Sequence, residues 1–282
     1  MNLKPRPGPA NHWQSWPWLA LGGFACALTW HGLGIPQQDL FLFLNSLANQ
    51  GYAAFWGGVT LLGDTVVLLC LIAPTLRFKP NLVMTLMAAI PAGSIMSVGF
   101  KSALAAPRPG DVLDPALVQG IFGALSGNSF PSGHTLTAFC AVCVSWIVMG
   151  PFDRSLQARL LGVLVFVLGS IVALSRVMLG VHWPIDLIAG ASLGWLAGLS
   201  GGWLMSSRPD WAHSRRLIWG LSALLALLSL HLAYRAFLTD DGSAVVLWLA
   251  SFIPWVNLAL QRRAHLSAKS NDTRPQDPRP ST

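Results

Sequence analysis

Glutamate is absent from this chain, and aspartate supplies all of its 11 acidic groups over 282 residues. Charged residues of every kind make up only 10%, against about 25% in a soluble domain. That excludes an ordinary water-soluble globular fold. Cysteine is scarce as well: Cys26, Cys70, Cys140 and Cys143 all lie inside apolar runs, where small buried thiols are common. Cys140 and Cys143 have CxxC spacing, but no second pair or nearby histidine completes a metal or redox site. No internal repeat is present. Basic stretches interleaved with aromatics are also missing, so the net charge of +7 does not mark a nucleic-acid surface.

What is abundant is apolar sequence. Hydrophobic residues make up 53% and the mean hydropathy is +0.54. Eight runs of roughly 17–24 residues suffice to cross a hydrocarbon layer of about 30 Å at 1.5 Å per residue. They run from about Trp16 to Gly34, Tyr52 to Thr75, Leu82 to Leu104, His134 to Gly150, Leu160 to Leu179, Trp183 to Met205, Leu217 to Phe237 and Ala244 to Leu260. The first lacks a small-residue cleavage site and reads as an uncleaved span. Between the first two, Ile35–Gln50 is amphipathic and suits the membrane interface. Residues 1–15 are polar and proline-rich, and 261–282 form a polar, basic tail expected to be disordered. Tryptophans at span ends (Trp16, Trp18, Trp183, Trp203, Trp211) read as an interfacial belt.

With both termini cytoplasmic, the positive-inside rule is well obeyed. Lys4, Arg6, Arg77, Lys79, Arg154, Arg159, Arg208, Arg215, Arg216, Arg262, Arg263, Lys269, Arg274 and Arg279 fall inside, 14 of the 18 basic residues. The cations left outside are Lys101, Arg108, Arg176 and Arg235, of which Arg235 reads as a snorkelling residue. The intramembrane carboxylate Asp64 is either functional or an interfacial hydrogen-bonding group.

Ser175–Asp186, SRVMLGVHWPID, places four polar groups in an apolar run. On a helix, His182 and Asp186 share a face. The aspartate then fixes one imidazole tautomer and leaves the other nitrogen free to attack or accept a proton. Arg176 offers a donor fork suited to phosphate oxygens. Lys101 and Arg108 flank the longest connection, residues 105–131, on the same face. Pro131-Ser132-Gly133-His134 opens a span, where unpaired helix N–H groups bind anions.

These motifs, K-x6-RP (Lys101, Arg108, Pro109), PSGH (Pro131–His134) and SR-x5-H-x3-D (Ser175, Arg176, His182, Asp186), resemble the type 2 phosphatidic acid phosphatase family, which is itself similar to the vanadium haloperoxidases. The resemblance implies that His182 attacks phosphorus to form a phospho-histidine, with Asp186 holding its ring. It implies that His134 acts as acid and then base. Lys101, Arg108, Arg176, Ser132 and the Gly133 amide hold the phosphate, Ser175 adds a hydroxyl contact, and no metal or other cofactor takes part.

The expected fold is therefore an all-α polytopic membrane bundle. It comprises a cytoplasmic segment 1–15, a six-helix phosphatase core over 16–205, two further spans over 206–260 and the tail 261–282. The expected protein is an inner-membrane bacterial lipid phosphatase working at the periplasmic face. Its partners are the bilayer and a lipid phosphate such as a polyprenyl diphosphate, phosphatidic acid or phosphatidylglycerol phosphate, with no nucleic acid. Two alternatives are a lipid-to-lipid phosphotransferase and a non-catalytic anion-binding membrane protein or transporter. Vanadate is expected to inhibit as a transition-state mimic.

Overall fold

Residues 16–48, 52–120, 127–149 and 155–272 are described in the computed structural model, and all regular structure among them is helical. In chain order the helices are α1 (Trp16–Gly32), α2 (Gln38–Ser46), α3 (Ala53–Leu61), α4 (Thr65–Ile72), α5 (Pro80–Leu104), α6 (Pro109–Val112), α7 (Gly133–Met149), α8 (Leu156–Met178), α9 (Pro184–Ser206), α10 (Arg215–Phe237) and α11 (Ala244–Asp272). Their ends follow local chemistry. Ser155 and Ser214 accept from the Ala158 and Leu217 amides to cap α8 and α10. Pro80 and Pro184 occupy first-turn positions of α5 and α9, where a missing N–H costs nothing.

Five of these helices are long and apolar enough to cross a membrane, or six if the bent pair α3–α4 counts as one span. α7 is a shorter apolar helix. The chain is a multi-pass membrane protein.

α9 lies at the centre, against α7, α5 and α1. Gly190, Gly194 and Gly198 recur every fourth residue along it, and each lies against the α7 backbone or Cys143. Gly201 continues the close approach onto Thr85 and Ala89 of α5. Helices bury small residues against one another in this way where lipid provides no hydrophobic drive.

Two expectations are corrected. The run Tyr52–Thr75 is not one straight span: α3 and α4 meet at an angle of 73°. The break falls at Gly63-Asp64, because the Asp64 carboxylate accepts from the Val66 and Val67 amides and starts a new helix. The tail from residue 261, expected to be disordered, is helical through Asp272 as a continuation of α11. Gln261 accepts from the Ser222 hydroxyl of α10, and His265 lies edge-on to Trp219. The segment 1–15, residues 121–126, the loop with Asp153 and Arg154, and 273–282 lie outside the described residues.

Arg77, Arg215, Gln261 and His265 line one recess, at the end of the bundle where α4 finishes and α10 begins. Asp64 at the start of α4 and Arg235 near the end of α10 are at the opposite end, as are the three motifs.

Candidate active site

Gly180, with φ +72°, turns the chain sharply out of α8, and a Cβ there would lie 2.7 Å from Val118. This turn delivers His182 ahead of α9, so His182 and Asp186 do not share a helix face as the spacing suggested. They meet across a helix start: Asp186 is the third residue of α9, and its Oδ2 accepts from the Trp183 amide at 2.9 Å. His182 Nδ1 donates to the same oxygen at 3.2 Å, and the Ser129 hydroxyl donates to it too. With Nδ1 carrying the proton, the lone pair belongs to Nε2.

Burial holds the His182 imidazole well below its ordinary value, at about 4, against the opposing pull of Asp186. The ring is therefore neutral, and a usable nucleophile, at neutral pH. That shift also couples folding to pH. The folded value lies below the ordinary 6.5, so the stability held by a neutral buried ring is complete above about pH 6.5 and lost as pH falls toward 4. The thermal midpoint in detergent is expected to drop over that window, and to drop less steeply in His182→Gln.

The PSGH segment is tied directly to this turn. Ser132 N donates to the Asp186 carbonyl at 3.1 Å, and a Cβ on Gly190 would come within 2.6 Å of the Ser132 carbonyl. Ser132 Oγ accepts from Thr135 N and Thr135 Oγ1, which uses its lone pairs and leaves its O–H proton. The Gly133 amide, first in α7, donates to no acceptor among the described residues.

The K-x6-RP segment closes over the same place. Lys101 Nζ donates to Asn128 O at 2.8 Å, and Asn128 Nδ2 returns a bond to Lys101 O at 2.7 Å. Arg108 Nε reaches Gly127 O and its Nη1 reaches Val181 O, each at 3.0 Å. Arg176 is buried, bonds Thr60 Oγ1 through Nη1, and keeps an unpartnered Nε. Lys101 lies within electrostatic reach of Arg108, Arg176 and Asp186, and Arg108 within reach of Arg176 and Asp186. Three cations against two carboxylates, Asp186 and the Asp111 beside Arg108, still leave a surplus of positive charge that a bound anion would neutralise. His134 lies within the reach of both Arg176 and His182.

One motif residue faces elsewhere. The buried Ser175 hydroxyl donates to the Val172 carbonyl at 2.6 Å, so its single proton is committed within α8 and is not available to a phosphate oxygen. Other residues do more than their sequence context revealed. Ser129 and Asn128 brace Asp186 and Lys101. Trp183, read as a belt residue, also donates from its indole to Pro107 O at 2.9 Å. Asn45 of α2 is fully buried and bonds Gln119, Val177 and Met178. Arg235 does not merely snorkel: its Nη1 lies 2.7 Å from Asp64 Oδ2.

A family model described as the PAP2 superfamily matches residues 65–210. Phosphatidylglycerophosphatase B of Haemophilus influenzae is 37% identical over 92 residues, which is 30% of this chain and 36% of that protein. The Escherichia coli K12 protein of the same name is 37% identical over 70 residues, 25% of this chain and 26% of that protein. The matched stretch thus spans about a third or less of these relatives. Among solved structures, Aquifex aeolicus LpxE superposes with a TM-score of 0.50 at 26% identity, covering 58% of this chain and 92% of that one. A PAP2-type phosphatidylglycerolphosphate phosphatase from Bacillus subtilis gives 0.51 at 20% identity, over 67% of this chain and 96% of that one, a likeness of fold alone. With the family match spanning just over half of its residues, and all three motif segments packed around one histidine–aspartate pair, the chain belongs to the PAP2 superfamily.

Proposed function

We propose that this protein is a membrane lipid phosphatase that removes a terminal phosphate through a phospho-histidine intermediate. The observation that carries the proposal is a buried arginine with a free Nε, set with two more cations around a neutral histidine whose Nε2 is unengaged. A phosphoryl group supplies the missing negative charge, and Nε2 attacks its phosphorus. The P–O bond to the lipid breaks, and the lipid oxygen takes a proton from His134. Water then attacks the phospho-histidine with His134 as base, releasing orthophosphate and restoring Nε2. Lys101, Arg108, Arg176, the Ser132 hydroxyl and the Gly133 amide bind the phosphoryl oxygens as charge builds on them.

The site opens at the end of the bundle away from the Arg77–Arg215 recess, which the positive-inside rule puts in the cytoplasm. The site then faces the periplasm of a bacterial inner membrane. The names of the relatives favour a phosphatidylglycerol phosphate over a polyprenyl diphosphate.

Phosphate release by detergent-purified protein across phosphatidylglycerol phosphate, phosphatidic acid and a polyprenyl diphosphate tests this reading. Turnover is expected to be fastest on the first, to persist in chelator and to be inhibited by vanadate. Absence of turnover on all three, or its loss on chelation, refutes the reading.

A further inference from the structure

The corner between α3 and α4 touches the site at three points. Thr60 receives the Arg176 guanidinium. Gly63 abuts His134 so tightly that a Cβ there would lie 2.8 Å from His134 Cβ and 2.9 Å from its carbonyl oxygen. Thr65 Oγ1 lies 2.9 Å from Thr137 Oγ1, one turn further along α7. Asp64, in the middle of this corner, lines a cavity of about 410 Å³ together with His134, and α5 contributes only Ser94 and Ser97 as polar groups there. The far side of Asp64 is held by Arg235 of α10, 171 residues away in sequence. α10 and α11 lie beyond the family match, yet α11 also packs on α3, where a Cβ on Gly58 would lie 3.6 Å from Val246.

From this geometry we infer that Asp64 and Arg235 are positioning residues for His134, which makes the α10–α11 hairpin a working part of the active centre. The inference rests on the acid–base role given to His134 above. The charged and titratable groups facing His134 are Arg176 from α8, Asp64 from the corner, His182 from the turn before α9 and Arg235 from α10. Asp64 alone is negative, so it partly offsets the burial and the positive neighbours that disfavour the protonated ring, the form that must deliver a proton to the departing lipid oxygen. Arg235 moderates that pull and fixes where the carboxylate sits.

Asp64→Asn tests this cleanly, because asparagine caps a helix as well as aspartate and only the charge is lost. In histidine-labelled protein in detergent, the NMR titration midpoint of the His134 ring is expected to fall by about one pH unit. Arg235→Gln is expected to raise it, and Arg235→Lys to leave it near wild type. The alkaline limb of kcat should move in step, with KM changed by less than about twofold. Superimposable ring titrations in all four proteins would overturn the inference, including the case where the variants only melt earlier. A wild-type protein that hydrolyses no lipid phosphate would sink the functional reading, while the ring titrations would still decide the role of the pair.

Discussion

Replacing His182 with alanine is expected to cut phosphate release by at least about 10³-fold, the scale on which loss of a nucleophile is felt. No other described side chain is held by Asp186 with a ring nitrogen left over. Alanine removes the bond-forming atom while Asp186 keeps its bonds from Ser129 and the Trp183 amide, so the start of α9 should persist. The measurement is a pair: phosphate release, and acid-labile label on the protein after brief exposure to ³²P-labelled substrate. Wild type is expected to take label, and His182→Ala none. His134→Ala gives the complementary result. On an aryl phosphate, whose leaving group needs no proton, its first step survives and its second lacks a base, so label should accumulate. Label in His182→Ala at wild-type level, or full turnover with wild-type expression, removes His182 from the role of nucleophile.

Much of this site was readable because it is chemically out of place. Lys101, Arg108, Arg176, His134 and His182 are polar groups at the ends of apolar runs, and a helix start or an anion is what makes such placement tolerable. The spans were readable from run length, since short polar or charged connections separate hydrophobic stretches long enough to cross a bilayer. The failures have physical causes. A hydropathy window averages across Gly63-Asp64, although a glycine followed by an aspartate and then Thr-Val-Val is a helix-start pattern in its own right. Asp64 and Arg235 find each other across 171 residues, and no local pattern announces such a pair. Ser129, Asn128 and Thr60 are ordinary polar residues until the fold brings Asp186, Lys101 and Arg176 to them. Gln261–Asp272 is polar and charged, which suggested disorder, but it contains no helix breaker and inherits its helix from the apolar half of α11. The four-residue glycine spacing at 190, 194 and 198 drew no reading from the sequence, where glycine carries no chemistry of its own, yet it marks the tightest helix approach among the described residues.

That spacing yields the largest expected effect on stability. A Cβ at Gly194 would sit 2.2 Å from the Leu136 carbonyl oxygen and 3.0 Å from the Cys140 amide. Both are backbone atoms of α7, so no side chain can rotate aside; the helices themselves must separate. Overpacking of this kind costs about 1–3 kcal/mol where side chains can adjust, and Gly194→Ala should reach at least the upper end of that range. Gly194→Leu is expected to yield no folded protein in detergent. Even a partial separation acts on the site, because Ser132 leads into α7 and His134 lies in it while α9 carries Asp186, and the Ser132–Asp186 backbone bond joins the two. Gly194→Ala should therefore lose turnover at temperatures below its own melting midpoint. Gly99→Ala and Gly220→Ala are the controls. Neither position has an atom within 4 Å of a Cβ, and alanine is the better helix former by about 1 kcal/mol, so both should match or exceed the wild-type midpoint. If Gly194→Ala melts with these controls and retains full activity, α7 and α9 are not in the close contact described, and the convergence of the three motifs fails with it.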